Sequence, residues 1–213
     1  KNNFNPKDHQ YMSLALNLAR ENQGLTGENP SVGCVIVKNG EIISVGKTSL
    51  NGRPHAEFNA IKNCKRNLKN STLYVSMEPC THYGKTPPCS KLIIKSKIKK
   101  VIYSVDDVDT RTSNKAFNLL KKNKLTVKKG ILRNEFNKFY TNYFYSKIKK
   151  LPYVVGKIAC SKDNFIKSNK SKYITCENSL NVAHLLRYRN QAILMSYKTL
   201  NSDNPKLNCR LNG

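Results

Sequence analysis

Three short segments of the chain carry side chains that together could bind a metal ion and move a proton. The first contains His55 and Glu57, the second ends in Cys80, and the third ends in Cys89. One imidazole and two thiolates form the mixed nitrogen and sulfur ligand set that zinc prefers. Three protein ligands leave one position for water, as in catalytic zinc sites, whereas structural sites are closed by four. We therefore predict a Zn2+ site formed by His55, Cys80 and Cys89.

Glu57 has a separate predicted role beside this metal. Zinc lowers the pKa of its bound water to about 7. A neighbouring carboxylate can accept the proton of that water as general base and then deliver it, as general acid, to a departing nitrogen. An H-x-E motif followed by Pro-Cys and a second cysteine is the signature of zinc deaminases, so Glu57 is the predicted catalytic residue.

Other interpretations of these residues stay open on sequence grounds. The histidine and the two cysteines could be ordinary buried residues. His82 lies between the cysteines and could complete a closed structural zinc site, which would make the chain a zinc-stabilised interaction module. Glu57 could be a solvated carboxylate at a helix start, stabilised by the helix dipole.

The elements that must position these residues follow from the hydrophobic pattern. Asn39-Gly40 predicts a hairpin between two early strands, and each ligand segment precedes an apolar helical run. Strands that alternate with helices predict an α/β sandwich with a mostly parallel half and a leading hairpin. The predicted strands cover 33–38, 41–46, 72–76, 100–105 and 125–128, and the predicted helices cover 5–24, 113–122 and 131–149, with two more that open near 55 and 87.

A second domain is predicted after Leu151-Pro152. The pattern indicates a strand at 153–159, a helix at 177–189 and a strand at 191–196. About 60 residues are too few to bury an independent core of this type. We therefore expect one domain over 1–150 and an incomplete one over 151–213.

Composition limits the classes of partner. The net charge of +25 is typical of nucleic-acid binding, but the lysines are spread along the whole chain, so we expect no nucleic-acid partner and keep a base deaminase acting on RNA or DNA as the alternative. No apolar run is long enough to span a bilayer, and the start does not resemble a signal peptide. Seven cysteines, an odd number, predict a reduced, cytoplasmic setting. The oligomeric state is not fixed, and a homo-oligomer is left open.

Two segments resemble one known family. They are Cys80-Thr-His-Tyr-Gly-Lys-Thr-Pro-Pro-Cys89 and Asn29-Pro-Ser-Val-Gly-Cys-Val-Ile-Val37. They are similar to the bifunctional deaminase/reductase of riboflavin biosynthesis, whereas nucleoside and tRNA deaminases have only two residues between the cysteines. The resemblance implies a cytidine-deaminase-like α/β/α sandwich with a central mixed five-stranded sheet, followed by the start of a dihydrofolate-reductase-like α/β domain.

The resemblance also implies a small phosphorylated pyrimidine nucleotide as substrate, 2,5-diamino-6-(5-phosphoribosylamino)pyrimidin-4(3H)-one. It implies substrate contacts from Asn29, His82, Lys85 and Asp107, with Lys85 as the phosphate partner. A compact ammonium group suits that contact.

For the second domain the resemblance implies reductase positions on the substrate side. They are Lys157, Ser161, Arg187, Asp203, Leu207 and Arg210. The family's S-L-D-G motif is Ser161-Lys-Asp-Asn164 here, and its nucleotide loop lacks the glycine at Met195-Ser-Tyr-Lys-Thr199. NADPH is therefore expected only for a complete reductase domain, and no reductase activity is expected from this chain.

Overall fold

The computed structural model describes residues 3–84, 86–166 and 173–211. The chain divides into two compact units, Lys1–Tyr153 and Val154–Gly213.

The first unit is built around a mixed sheet of five strands in the described residues. The spatial order is β2-β1-β3-β4-β5. β1 pairs antiparallel with β2 and β3, and the pairs β3–β4 and β4–β5 are parallel. Asn39 and Gly40 both have positive φ, as the predicted hairpin requires. The strands are β1 Gly33–Lys38, β2 Glu41–Lys47, β3 Thr72–Met77, β4 Lys100–Val105 and β5 Thr126–Lys129.

Helices cover both faces of this sheet. They are α1 Pro6–Glu21, α2 Ala56–Asn63, α3 Cys89–Lys95, α4 Lys115–Lys122, α5 Arg133–Phe139 and α6 Thr141–Lys149. Asn5 caps α1, and its side chain accepts a hydrogen bond from the N–H of Asp8.

Two glycines set how closely the helices approach the sheet. A Cβ at Gly33 would meet the carbonyl oxygen of Ala15 in α1, and a Cβ at Gly46 would meet the backbone of α2. Gly46 pairs with Cys34, the neighbour of Gly33 in β1. Because successive residues of a strand face opposite sides of a sheet, α1 and α2 lie on opposite faces.

Gly33→Ala is expected to lower the free energy of unfolding by about 3 kcal/mol, because the added methyl overlaps backbone that cannot rotate away. The Cβ would lie 1.9 Å from the Ala15 oxygen. Urea unfolding measures the change. Gly156→Ala is the control, since a Cβ there has nothing within 4 Å, and a loss of stability equal to that of the control would contradict the prediction.

The single helix predicted over 131–149 is wrong, because α5 and α6 meet at Tyr140. Its φ of −91° and ψ of 7° leave helical geometry. The Tyr140 hydroxyl is buried, lies 2.7 Å from Ser76 Oγ, and donates to the carbonyl oxygen of Ser31. These tertiary contacts fix the side chain at the point where the helix breaks.

In the second unit the predicted helix at 177–189 is confirmed as α7 Glu177–Arg189, and α8 Tyr197–Asp203 follows. The strands predicted at 153–159 and 191–196 are wrong: these residues lie in no ladder among the described part of the chain. A strand needs a hydrogen-bonded neighbour, and these segments have none among the residues that the structure describes. Their apolar side chains are exposed, with Ile158 at 82% and Leu194 at 100%.

Candidate metal centre and active site

The predicted metal ligands converge in the structure. His55 Nδ1 lies 3.6 Å from Cys80 Sγ and 3.5 Å from Cys89 Sγ. All three ligand atoms lie within 4.8 Å of one another. With Zn–N and Zn–S bonds of about 2.0 and 2.3 Å, a tetrahedral centre separates nitrogen from sulfur by about 3.5 Å. The spacing of these donors therefore fits a zinc ion.

Each ligand sits at the end of a regular element. His55 is the N-cap residue of α2, and Cys89 is the first residue of α3. Cys80 follows β3 by three residues. The N–H of Cys89 donates to Cys80 Sγ at 3.2 Å, and the N–H of Ser90 donates to the Cys80 carbonyl at 3.1 Å. The backbone itself thus holds the two cysteine segments together.

The two thiols differ in acidity. The hydrogen bond between them lowers the pKa of the acceptor Cys80 and raises the pKa of the donor Cys89, and His55 lowers that of Cys80 further. Cys80 is therefore the first to become a thiolate. Thiolate is the form that binds metal.

Glu57 lies beside the ligands without being one of them. It stands in the first turn of α2 and is 4% exposed. Burial, and next the negative charge of Cys80, raise the pKa of Glu57 to about 7. A carboxyl group with that pKa can both accept and release a proton near neutral pH.

The insert between the cysteines, Thr81–Pro88, is tied to two neighbouring segments. His82 Nδ1 lies 2.9 Å from Thr112 Oγ1, and Arg53 donates to Thr86 Oγ1 at 2.8 Å. Among the described residues the potential metal-binding group does not include His82. This placement disfavours the closed site with His82 as fourth ligand. Lys85 lies outside the described residues.

Asn29 and Asp107 are each joined to a segment that carries a ligand. Asn29 donates to the carbonyl oxygen of Gly52, three residues before His55. The N–H of Asp107 donates to Glu78, two residues before Cys80. The Asp107 carboxylate accepts from the Tyr143 hydroxyl at 3.1 Å, and burial raises its pKa.

Comparison with known proteins agrees with this geometry. Residues 5–105 match the family model of the cytidine and deoxycytidylate deaminase zinc-binding region. The chain is 40% identical over 206 residues to the riboflavin biosynthesis protein RibD of Actinobacillus pleuropneumoniae, covering 96% of this chain and 55% of that protein. It is 38% identical to RibD of Aquifex aeolicus over 205 residues, covering 95% of this chain and 58% of that protein. The chain is thus similar to RibD proteins over nearly its whole length.

Solved structures of RibD relatives confirm the predicted sandwich. The crystal structure of a diaminohydroxyphosphoribosylaminopyrimidine deaminase/5-amino-6-(5-phosphoribosylamino)uracil reductase from Thermotoga maritima is 36% identical, with a TM-score of 0.90 over 96% of this chain and 60% of that one. RibD of Acinetobacter baumannii is 31% identical, with a TM-score of 0.87, and the match covers 97% of this chain and 58% of that one. The chain spans about half the length of the curated RibD proteins it matches.

The positions that the RibD resemblance assigns to the reductase substrate side lie in the second unit. Arg187 in α7 and the backbone N–H of Arg210 both lie 3.3 Å from His184 Nδ1. Lys157 and Asp203 are exposed, and Ser161 and Leu207 are half-buried. The structure thus brings Arg187 and Arg210 together.

Several residues around the site were missed by the sequence reasoning. Thr112 is fully buried against His82, and Glu78 is 4% exposed. Arg111 forms a two-pronged ion pair with Asp109, at 2.9 and 2.6 Å, which lowers the pKa of that carboxyl. The one signal for Glu78 was its place directly before Pro79-Cys80.

In the described part of the chain, no helix combines the length and apolarity needed to cross a bilayer.

Proposed function

We propose that this chain hydrolytically deaminates 2,5-diamino-6-(5-phosphoribosylamino)pyrimidin-4(3H)-one to 5-amino-6-(5-phosphoribosylamino)uracil and ammonia, with one zinc ion. The observation that carries the proposal is the convergence of His55 Nδ1 and two cysteine sulfurs beside the buried Glu57. The eight-residue insert between the cysteines and the deaminase/reductase relatives support the choice of substrate.

His55, Cys80 and Cys89 would hold the zinc. A zinc ion with three protein ligands keeps one position open and lowers the pKa of water there to about 7. Glu57 takes one proton from the attacking water and delivers it to the amino nitrogen. The C–N bond then breaks and ammonia leaves, while the second proton of the water moves to the adjacent ring nitrogen, so that a carbonyl remains on the ring. Burial raises the pKa of Glu57 to about 7, which suits it to both transfers.

The substrate contacts are proposed from the same site. Asn29 hydrogen-bonds the ring or ribose, and Asp107 holds a polar group of the substrate at the end of β4. His82 and Lys85 of the insert meet the phosphorylated end, where Lys85 supplies a positive charge. The contact between His82 and Thr112 supports this position of His82.

The second unit is proposed to be part of a reductase domain that starts after residue 150. In a complete domain, Lys157, Ser161, Arg187, Asp203, Leu207 and Arg210 would face the ribosyl substrate, and NADPH would supply the hydride. No reduction is proposed for these 213 residues alone.

Since zinc binding requires thiolates, and all seven cysteines are free, we also propose a reducing, cytoplasmic setting.

Ammonia release from the diaminopyrimidine phosphate tests the proposal. The zinc-loaded chain is expected to release one ammonia per substrate. The metal-free chain should be at least about a hundredfold slower, because the water then keeps its ordinary pKa. Cytidine and transfer RNA are the comparison substrates. Deamination of the RNA, with the free nucleotide untouched, would favour the RNA or DNA alternative and overturn this one.

A further inference from the structure

The carboxylate of Glu78 accepts hydrogen bonds from three backbone N–H groups. Asp107 and Asn114 donate to Oε2 at 3.2 and 2.9 Å, and Ala116 donates to Oε1 at 2.9 Å. The side chain is 4% exposed. A buried carboxylate with such partners is held in one place, because losing any of them leaves a polar group unsatisfied.

Two of these donors belong to the start of α4. Asn114 is its N-cap residue, has a left-handed backbone, and makes no capping bond with its own side chain. The first N–H groups of a helix have no partner within the helix, and the helix dipole favours a negative charge there. Glu78 therefore supplies the cap from a segment 38 residues earlier in the chain.

The third donor, Asp107, fixes the other end of the β4–α4 loop (residues 106–114). The loop is thus tied to Glu78 at both ends, and it carries Asp107 and the His82 partner Thr112. The N–H of Glu78 donates to the carbonyl oxygen of Val105 at 2.9 Å, and Cys80 follows two residues later. One side chain therefore connects the β4–α4 loop to a ligand segment.

We propose that Glu78 is a positioning residue for the deamination reaction. It sets the places of Asp107 and His82 relative to Cys80, and it acts through them. The proposal rests on the function proposed above, since Asp107 and His82 matter here as substrate contacts.

Glu78→Gln tests the proposal. The amide keeps the shape but replaces one acceptor oxygen by an NH2 group, which cannot accept from a backbone N–H. We expect KM to rise about tenfold while kcat falls less than about threefold, since a loss of about 1.4 kcal/mol in substrate binding is tenfold in affinity. Zinc should stay at one per chain. Hydrogen exchange should become faster at the amides of Asp107, Asn114 and Ala116.

Asp8→Asn is the matched control. Asp8 is 3% exposed, accepts from Asn5 N–H and the Tyr74 hydroxyl, and lies near Lys100 at the opposite end of β4. The Asp8→Asn substitution should lower the melting temperature and leave KM unchanged. If Glu78→Gln does not fold, Glu78→Asp keeps both acceptors on a shorter side chain and should give a smaller rise in KM.

The outcomes separate this proposal from the proposed function. A wild-type chain that releases no ammonia would remove the proposed function, whereas the exchange measurement still reports whether Glu78 holds the β4–α4 loop. Unchanged exchange at the three amides, a KM shift no larger than that of Asp8→Asn, or loss of zinc would each overturn the positioning role.

Discussion

Glu57→Gln is expected to lower kcat for deamination by about a thousandfold or more, within the range that a lost general acid–base group costs, while zinc stays bound. The carboxyl group is 4% exposed and lies beside the thiols without belonging to the group of possible ligands. Glutamine fills the same volume but can neither take the proton of the attacking water nor deliver one to nitrogen. Coupled ammonia assays and metal analysis on the same preparation measure the two effects.

Glu135→Gln is the matched control for this experiment. Glu135 also stands in the first turn of a helix, α5, but its side chain is exposed. The control should retain full activity. A Glu57→Gln variant with activity within tenfold of wild type and with zinc bound would remove Glu57 from the reaction.

Cys89→Ser is expected to abolish both zinc retention and deamination. A neutral hydroxyl is a poor replacement for a thiolate, and the remaining imidazole and single thiolate leave a two-ligand site. Changes to residues that merely support metal ligands cost 10–100-fold in affinity, so loss of a ligand should weaken zinc binding by more than about 100-fold. Zinc content after dialysis against a chelator checks the first effect, and ammonia release checks the second.

Cys64→Ser provides the comparison for the ligand variant. Cys64 is half-buried, as Cys80 is, but it contacts the carbonyl oxygens of Ile43 and Arg66 and lies outside the metal-binding group. The Cys64→Ser variant should keep both its zinc and its deaminase activity. Zinc retained at one per chain in Cys89→Ser would show that this sulfur is not a ligand.

Local patterns were sufficient to predict most of the first unit. Asn39-Gly40 specifies its hairpin because both residues accept positive φ. The candidate ligands could be proposed because His55 and the two cysteines stand at junctions that the hydrophobic pattern marks. Their convergence, however, depends on tertiary packing, which brings the starts of α2 and α3 to the segment that follows β3.

Most of the features that escaped prediction depend on partners distant in sequence, although the Arg111–Asp109 ion pair is local. The helix break at Tyr140 is set by contacts with Ser31 and Ser76. Glu78 caps a helix that begins 37 residues later, and no rule of local spacing connects the two. In the second unit, β-rich composition predicted strands, but strand formation depends on neighbours that composition does not supply.

Two hydrogen bonds join the cysteine segments to each other and bring the predicted zinc ligands together before any ion binds. The N–H of Cys89 donates to Cys80 Sγ, and the N–H of Ser90 donates to the Cys80 carbonyl oxygen. Both hydrogen bonds are made between protein atoms and do not involve a metal ion. Much of the entropy of gathering the donors is therefore lost during folding and not when the ion arrives. Zinc fingers differ, because they gather their donors only on binding the ion and unfold when it is stripped. We therefore expect that a zinc ion bound at this centre could be removed and replaced without unfolding of the chain.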